Sequence, residues 1–276
     1  MADYIAQVRR FARRLARHRN TPMVRRVRRV VAELHKGLEN LNYDLNSNGE
    51  RWVLEQIARI RSPEVALDVG ANHGDWSVAA LAAFPGATVH AFEIAPHTFA
   101  QLKDRLATEP RVRLNNLGLS AEAGEIDFYY SAEQHEIATP VAGFSEDFHS
   151  LATEKLRLPV GTGDQYCDAQ NIRQIDFLKI DVEGHEPQVL QGFESMLARS
   201  AIHCIQFEYG YVNIAVNFLL RDFHALLERY DMCLGKIFPD HVDFREYRHV
   251  HEDFYGPNFL AVHRSRKDLI EALRCR

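Results

Sequence analysis

The sequence predicts an α/β fold: a doubly wound, mostly parallel sheet preceded by a basic helical extension. Three observations predict it. Short apolar runs of strand length alternate with helical periods, beginning with Val65-Ala66-Leu67-Asp68-Val69 and then Asp75-Trp76-Ser77-Val78-Ala79-Ala80-Leu81; parallel sheets with crossover helices read this way. The turn between them, Gly70-Ala71-Asn72-His73-Gly74, supplies glycine where positive φ is needed. Acids close successive runs at Asp68, Glu93, Asp181 and Glu208, and the carboxyl ends of parallel strands are the edge where ligands bind.

The turn after Asp68 has the spacing Asp68-x-Gly70-x-x-x-Gly74, with Asn72 where a dinucleotide fingerprint would have its central glycine. Such a turn brings backbone N–H groups and a helix N-terminus to the sheet edge. An acid before it suits a cationic ligand, such as the amino-acid end of S-adenosylmethionine. The second strand, residues 87–92, ends at Glu93. A carboxylate there is placed to accept both hydroxyl protons of a ribose, as in nicotinamide and adenosylmethionine enzymes. The plainer reading is a helix-capping glutamate.

In chain order, residues 3–19 set Tyr4, Val8, Phe11 and Leu15 on one helical face among arginines, and Thr21-Pro22 breaks the helix. A second helix runs to about Lys36 with Val24, Val27, Val31 and Leu34 on one stripe. Two readings compete for this pair. Its stripes dock on the main domain or a second subunit, or they lie on an anionic membrane and bring the protein to lipid-linked glycans. A polar loop at 40–48 leads to a helix from Glu50 to about Arg61. Residues 97–108 are helical, 111–116 form the third strand, and 122–130 read as an added hairpin. Residues 131–163 lack periodicity and hold Pro140, Gly143, Pro159, Gly161 and Gly163, so they read as a lid or acceptor loop. Phe144, Phe148, His149 and Ser145 are its candidate contacts. Strands at 175–182 and 202–208 follow, then a helix at 217–230 and an antiparallel pair at 232–238 and 257–263, making seven strands. The organisation is an extension at 1–39 and a main domain at 40–276.

The stretches LDVGANHGDWS (67–77), HAFEIAP (90–96) and IDFLKIDVEGHEPQVLQGF (175–193) together resemble the FkbM family of S-adenosylmethionine-dependent methyltransferases. The resemblance runs from roughly Asn40 to His263, and the third stretch is its most specific part. It implies a Rossmann-like class I methyltransferase fold with a seven-stranded sheet, S-adenosylmethionine as methyl donor, and O-methylation of sugar or polyketide hydroxyls. By that resemblance Asp68, Gly70, Asn72, Gly74 and Glu93 fall at the donor site. Asn115, Asn116 and Leu117 fall where the adenine is usually held, although two asparagines are also ordinary turn formers. Asn48-Gly49-Glu50 matches the family's entry to that site. The family's Phe-Glu-Pro motif departs here to Phe92-Glu93-Ile94, which leaves Glu93 in place.

Asp181, Glu183 and His185 fall within five residues at the mouth of the fourth strand. Methyl transfer is an in-line displacement in which the protein mostly holds reactants together, and a neutral hydroxyl acceptor gains from a nearby base or an acidifying metal. His185 has a suitable intrinsic pKa, which neighbouring carboxylates would raise. The carboxylates could equally be the base, the more so because alanine can replace this histidine in the family. Lys179 supports a carboxylate or forms a buried ion pair. Glu208 and Tyr209, with Asn213 or Asn217, are candidates for the acceptor site. Asp181 with Glu208 would suit an oxygen-liganded divalent cation, but no motif requires one, and the histidines at 241, 249 and 251 lack the spacing of a zinc site.

The 276 residues, 46% hydrophobic and 26% charged, suit one α/β domain with additions. No apolar run approaches the roughly 18 residues of a membrane span, and the N-terminus does not read as a secretory signal. Four scattered cysteines without a C-x-x-C pair point to a reducing cytoplasm, with peripheral contact at the inner membrane face as an addition. The net charge of −5 divides unevenly: residues 1–36 carry 11 Lys+Arg against 2 Asp+Glu, leaving 22 against 36 elsewhere. That excludes a uniformly basic nucleic-acid surface. The rival readings are a nucleic-acid methyltransferase using the basic helices, an NAD-dependent oxidoreductase, disfavoured by Asp68 and Asn72, and a non-catalytic binding protein. The acceptor reading is a small-molecule or glycan hydroxyl, with homo-oligomerisation open.

Overall fold

The computed structural model describes residues 2–130, 139–141, 154–255 and 257–274. Its strands are β1 (Val65–Val69), β2 (Thr88–Phe92), β3 (Val112–Asn115), β4 (Gly118–Leu119), β5 (Gly124–Tyr130), β6 (Glu154–Gly161), β7 (Ile175–Ile180), β8 (Ile202–Glu208), β9 (Met232–Phe238), β10 (His241–Phe244) and β11 (Asn258–His263). The helices are α1 (Ala2–Arg17), α2 (Pro22–Leu38), α3 (Glu50–Ile60), α4 (Asp75–Ala83), α5 (Pro96–Leu106), α6 (Gly163–Ala169), α7 (Glu186–Gly192), α8 (Glu194–Ala198), α9 (Val212–Ala215), α10 (Leu220–Glu228) and α11 (Lys267–Leu273).

The main sheet has the order β10-β9-β11-β8-β7-β1-β2-β3. Strands β3, β2, β1, β7 and β8 are parallel, and β11, β9 and β10 are antiparallel additions at one edge. The seven expected strands are present, and β10 is an eighth. It is a short return from β9 across Pro239-Asp240, pairing His241 with Phe238. Every residue of β7 is buried, because both faces of a central parallel strand are covered. Alternation splits the core: Leu67, Val69, Leu178 and Ile180 pack on one face, and Ala66, Phe177 and Cys204 with Trp76 and Leu54 on the other. The strand order reverses between β1 and β7, so the carboxyl edge of those two strands is the switch point where a crevice opens.

The expected hairpin at 122–130 takes another form. β5 pairs along its length with β6, and β4 joins β6 on the other side. Residues 154–161 are therefore strand and not loop. Pro159 argues against a strand interior, yet β4 reaches only Val160 and Gly161, so at Pro159 that side of β6 is an open edge. Phe128 and Leu158 pack on Ala95, which sets this small sheet beside the crevice. Phe144, Ser145, Phe148 and His149 lie outside the described residues.

Docking of the N-terminal stripes on the body is not what the structure shows. Val24 is the buried residue of α2, while Phe11 and Leu34 are each 62% exposed. The tie to the body is at the end of α2, where Glu39 meets Lys236 at 2.9 Å and the His35 ring stands edge-on to Tyr255. No helix among the described residues is long and apolar enough to cross a membrane.

Candidate active site

The crevice at the switch point is a cleft of about 780 Å³, counted to its open mouth, walled by Phe92, Glu93, Leu117, Phe128, Asp181 and His185 among others. Its floor is the β1–α4 turn. Gly70 has φ +83°, and a Cβ there would lie 1.8 Å from the Asp181 carbonyl oxygen. Only glycine lets the turn approach the end of β7 this closely. The Gly70 and Ala71 N–H groups donate to the Phe92 carbonyl at 3.0 and 2.8 Å, clamping the turn to the end of β2. Gly74, at φ +86°, faces Leu102 and Leu106 of α5, so it serves packing behind the cleft.

Glu93 is 7% exposed, and its two carboxylate oxygens accept from the Asn72 N–H at 3.0 Å and the Ala95 N–H at 2.8 Å. Burial pushes its carboxyl up to about 7 against these hydrogen bonds. A carboxylate has about four acceptor positions, so two hydroxyls can still be accepted. Asn72 lines the same cleft with a buried Oδ1 that has no hydrogen-bond partner among the described residues.

Three of the expected donor-site residues sit elsewhere. Asp68 is fully buried under the turn, where Ser77 Oγ donates to it at 2.7 Å and Lys179 Nζ stands 3.7 Å away. It does not line the cleft, because its register opposite Lys179 turns it into the α4 face. Asn116 is exposed, and its amide donates to the Glu93 and Ile94 carbonyls, so it holds the β2–α5 turn while Leu117 lines the cleft. Gly74 lies behind, as described above.

The β7–α7 turn carries the carboxylates. Lys179 Nζ donates to Asp181 at 2.9 Å; although burial opposes it, Asp181, Asp68 and Glu50 together raise the lysine's pKa and keep it charged. Glu183 takes the left-handed conformation at φ 51°. Burial, then the charges of Asp181 and Glu186, raise its carboxyl. Glu208, at the end of β8, is raised by burial and by Asp181 and Glu183, so the three carboxylates feel one another. Among the described residues no group of three or more His, Cys, Asp or Glu gathers closely enough to hold a metal ion.

His185 departs from expectation. Burial pulls its pKa down to about 4, and Nε2 lies 2.9 Å from Ser120 Oγ. It is a neutral ring in the cleft wall and not a histidine made more basic by carboxylates. Tyr209 departs as well: its hydroxyl donates to Glu252, its ring stacks on Phe254, and it is fully buried outside the cleft. Asn213 caps a turn by accepting from the Gly210 N–H.

Several site residues carry no sequence signal. Glu186 is 1% exposed and accepts from the Val182 and Gly184 N–H groups, fixing the carboxylate turn. Thr139 donates to the Glu183 carbonyl at 2.6 Å. Tyr43 is 71% exposed, but its hydroxyl end is sheltered, and burial followed by Glu208 and Glu183 pushes it up to about 12. Glu50, the last residue of the expected Asn48-Gly49-Glu50 entry, is buried and accepts from Asn48, Gln206 and Asn258.

Residues 68–233, more than half of the chain, match the Methyltransferase FkbM domain. The chain belongs to the FkbM methyltransferase family. This is a family of S-adenosylmethionine-dependent enzymes, and a cleft lined by the buried Glu93 carboxylate, with no lysine or arginine among its described lining residues, fits that donor. The FkbM match extends to curated relatives. The chain is 28% identical over 184 residues to the hexuronic acid methyltransferase AglP of Haloferax volcanii, covering 66% of this chain and 64% of that one. It is 32% identical over 178 residues to the 31-O-demethyl-FK506 methyltransferase FkbM of Streptomyces tacrolimicus, covering 52% and 65%. To the 2-O-methyltransferase NoeI of Sinorhizobium fredii it is 23% identical, covering 52% and 63%. The chain thus spans just under two-thirds of these relatives' length. The crystal structure of methyltransferase FkbM from Methylobacillus flagellatus superimposes with a TM-score of 0.48 at 13% identity, over 72% of this chain and 44% of that one.

Proposed function

We propose that this FkbM-family protein transfers a methyl group to a hydroxyl of a sugar or other small natural product. The observation that carries the reading is the convergence of Asp181, Glu183 and Glu208 beside the donor cleft, with Glu183 and Glu208 held above the ordinary carboxylate range. Interacting carboxyls of this kind divide roles near neutrality, one protonated and one ionised. The names of relatives acting on hexuronic acid and on a 2-O position support the acceptor class.

When bound, S-adenosylmethionine supplies an electrophilic methyl group on a positive sulfur. Glu93 would hold the ribose, Gly70, Asn72 and Leu117 would form the walls around the nucleoside, and Asp68 would act from beneath through Lys179. Asp181 would face the donor's positive end. Glu183 or Glu208 would accept the acceptor's hydroxyl proton, and His185, kept neutral and tied to Ser120, would position a polar group without taking the proton. Tyr43, exposed and within the influence of Glu208 and Glu183, would contact an acceptor ring.

The test is methyl transfer from labelled donor to a panel of glycan and small hydroxyl acceptors, with S-adenosylhomocysteine affinity measured in parallel. Glu183→Gln or Glu208→Gln should lower turnover by roughly 10²-fold or more with product affinity changed only a few-fold. His185→Ala should cost less than either. Wild-type turnover in both carboxylate variants overturns the assignment of the base, and transfer to RNA but to no hydroxyl compound overturns the acceptor class.

A further inference from the structure

We infer that α1 and α2 are a docking surface for an anionic phospholipid bilayer. Among the described residues, ten of the sixteen exposed large hydrophobic side chains lie on these two helices, including Val8 at 48%, Phe11 at 62%, Val31 at 59% and Leu34 at 62%. The exposed apolar surface is therefore concentrated here. On α1, Tyr4, Val8, Phe11 and Leu15 follow the helical period along one face, and Arg9, Arg10, Arg13, Arg14 and Arg17 occupy the remainder. On α2 the stripe of Val27, Val31, Leu34 and Leu38 is bordered in the same way by Arg25, Arg26, Arg28 and Arg29. None of these arginines forms an ion pair among the described residues, where the one pair on either helix is Lys36 with Glu33.

The occupant of this surface must offer an apolar interior and a negative boundary together. A second copy meeting it face to face brings the same excess of arginine against itself. The body of a second copy is acidic, but among its described residues the exposed large hydrophobics are six, scattered from Tyr43 to Val250. A bilayer with anionic headgroups presents both properties at the spacing an interfacial amphipathic helix uses. The surface is tied to the body near the C-terminal end of α2, through His35 on Tyr255 and Glu39 on Lys236. Tyr255 in turn stands edge-on to Tyr211, so the helices meet the body on the side of the molecule that carries the end of β8. Docking does not depend on the reaction proposed above. If both hold, the acceptor hydroxyl is one carried at a membrane surface.

Cosedimentation of the full chain with vesicles decides it. Vesicles of phosphatidylcholine with about one-third phosphatidylglycerol should bind the protein roughly tenfold or more tightly than phosphatidylcholine alone, with the difference shrinking at high salt. The double variant Phe11→Glu/Val31→Glu changes two exposed positions and should lose vesicle binding while keeping wild-type affinity for S-adenosylhomocysteine. Equal binding to neutral and anionic vesicles, or none to either, overturns the proposal. So does a dimer in light scattering that dissociates in the double variant while vesicle binding is absent.

Discussion

At Glu93 one carboxylate serves two masters, the backbone of two turns and the hydroxyls expected of a bound ribose. Its carboxyl is pushed up to about 7 by burial, and only the ionised form is an acceptor at every position. Affinity for S-adenosylhomocysteine should be near its maximum above pH 8 and fall roughly tenfold for each pH step below about 7. Calorimetric titration across that range checks this, with Glu93→Gln binding more weakly and with a flattened pH response. An affinity that stays level down to pH 5.5 would refute the role. The same physics accounts for the misreading of His185. Counting nearby acids predicts a raised pKa, but desolvation disfavours the imidazolium and dominates once the ring is half-buried against Ser120. Burial of a single ring is a tertiary fact that spacing along the chain does not contain.

At the level of elements, the two turns that make the site were legible for different reasons. The β1–α4 turn announces itself because glycine is forced: Gly70 and Gly74 both hold positive φ. Gly70→Ala adds about 1–2 kcal/mol of left-handed strain before the clash with the Asp181 carbonyl is counted. It should weaken S-adenosylhomocysteine binding by at least roughly tenfold and lower Tm by a few degrees. Gly86→Ala, where a Cβ meets nothing within 4 Å, is the matched control and should leave both unchanged. Wild-type binding and Tm in Gly70→Ala would show that the turn does not need this approach. The β7–α7 turn was legible in its acids but not in its scaffold. Glu186 reads as one more charge at a helix start, and only the fold shows that it accepts two backbone N–H groups of the turn. Strand β6 was hidden by Pro159, although Leu156, Leu158 and Val160 alternate as a strand should. Asp68 and Tyr209 were placed at the rim by sequence position. Their register and packing turn them inward, which a strand pattern without its neighbours cannot reveal.

Over the whole molecule, the acids gathered along one sheet edge should set the pH dependence of stability. Glu93 and Glu186 are both raised by burial to about 7 from an ordinary 4.5. Between those values the folded chain binds protons that the unfolded chain has released. Their contribution is therefore full at the acidic end of that window and is lost as pH rises through 7. Glu183 and Glu208 are shifted in the same direction. Three histidines oppose them: buried His90 and half-buried His185 and His224 are held down to about 4 from 6.5, by desolvation first. They withdraw stability as pH falls from 6.5 toward 4, and contribute little change above 7. From about pH 8.5 to about 6.5 the carboxyls thus act nearly alone, and Tm should rise as pH is lowered across that interval. Glu186→Gln keeps a carbonyl oxygen for the Val182 and Gly184 N–H groups but cannot titrate, so it should flatten the rise. Thermal scans at several pH values compare the two proteins directly. A wild-type Tm that is level or falls over the interval would mean that the cluster is relaxed by water or counterions, and with it would go the case for a proton-sharing base at the cleft.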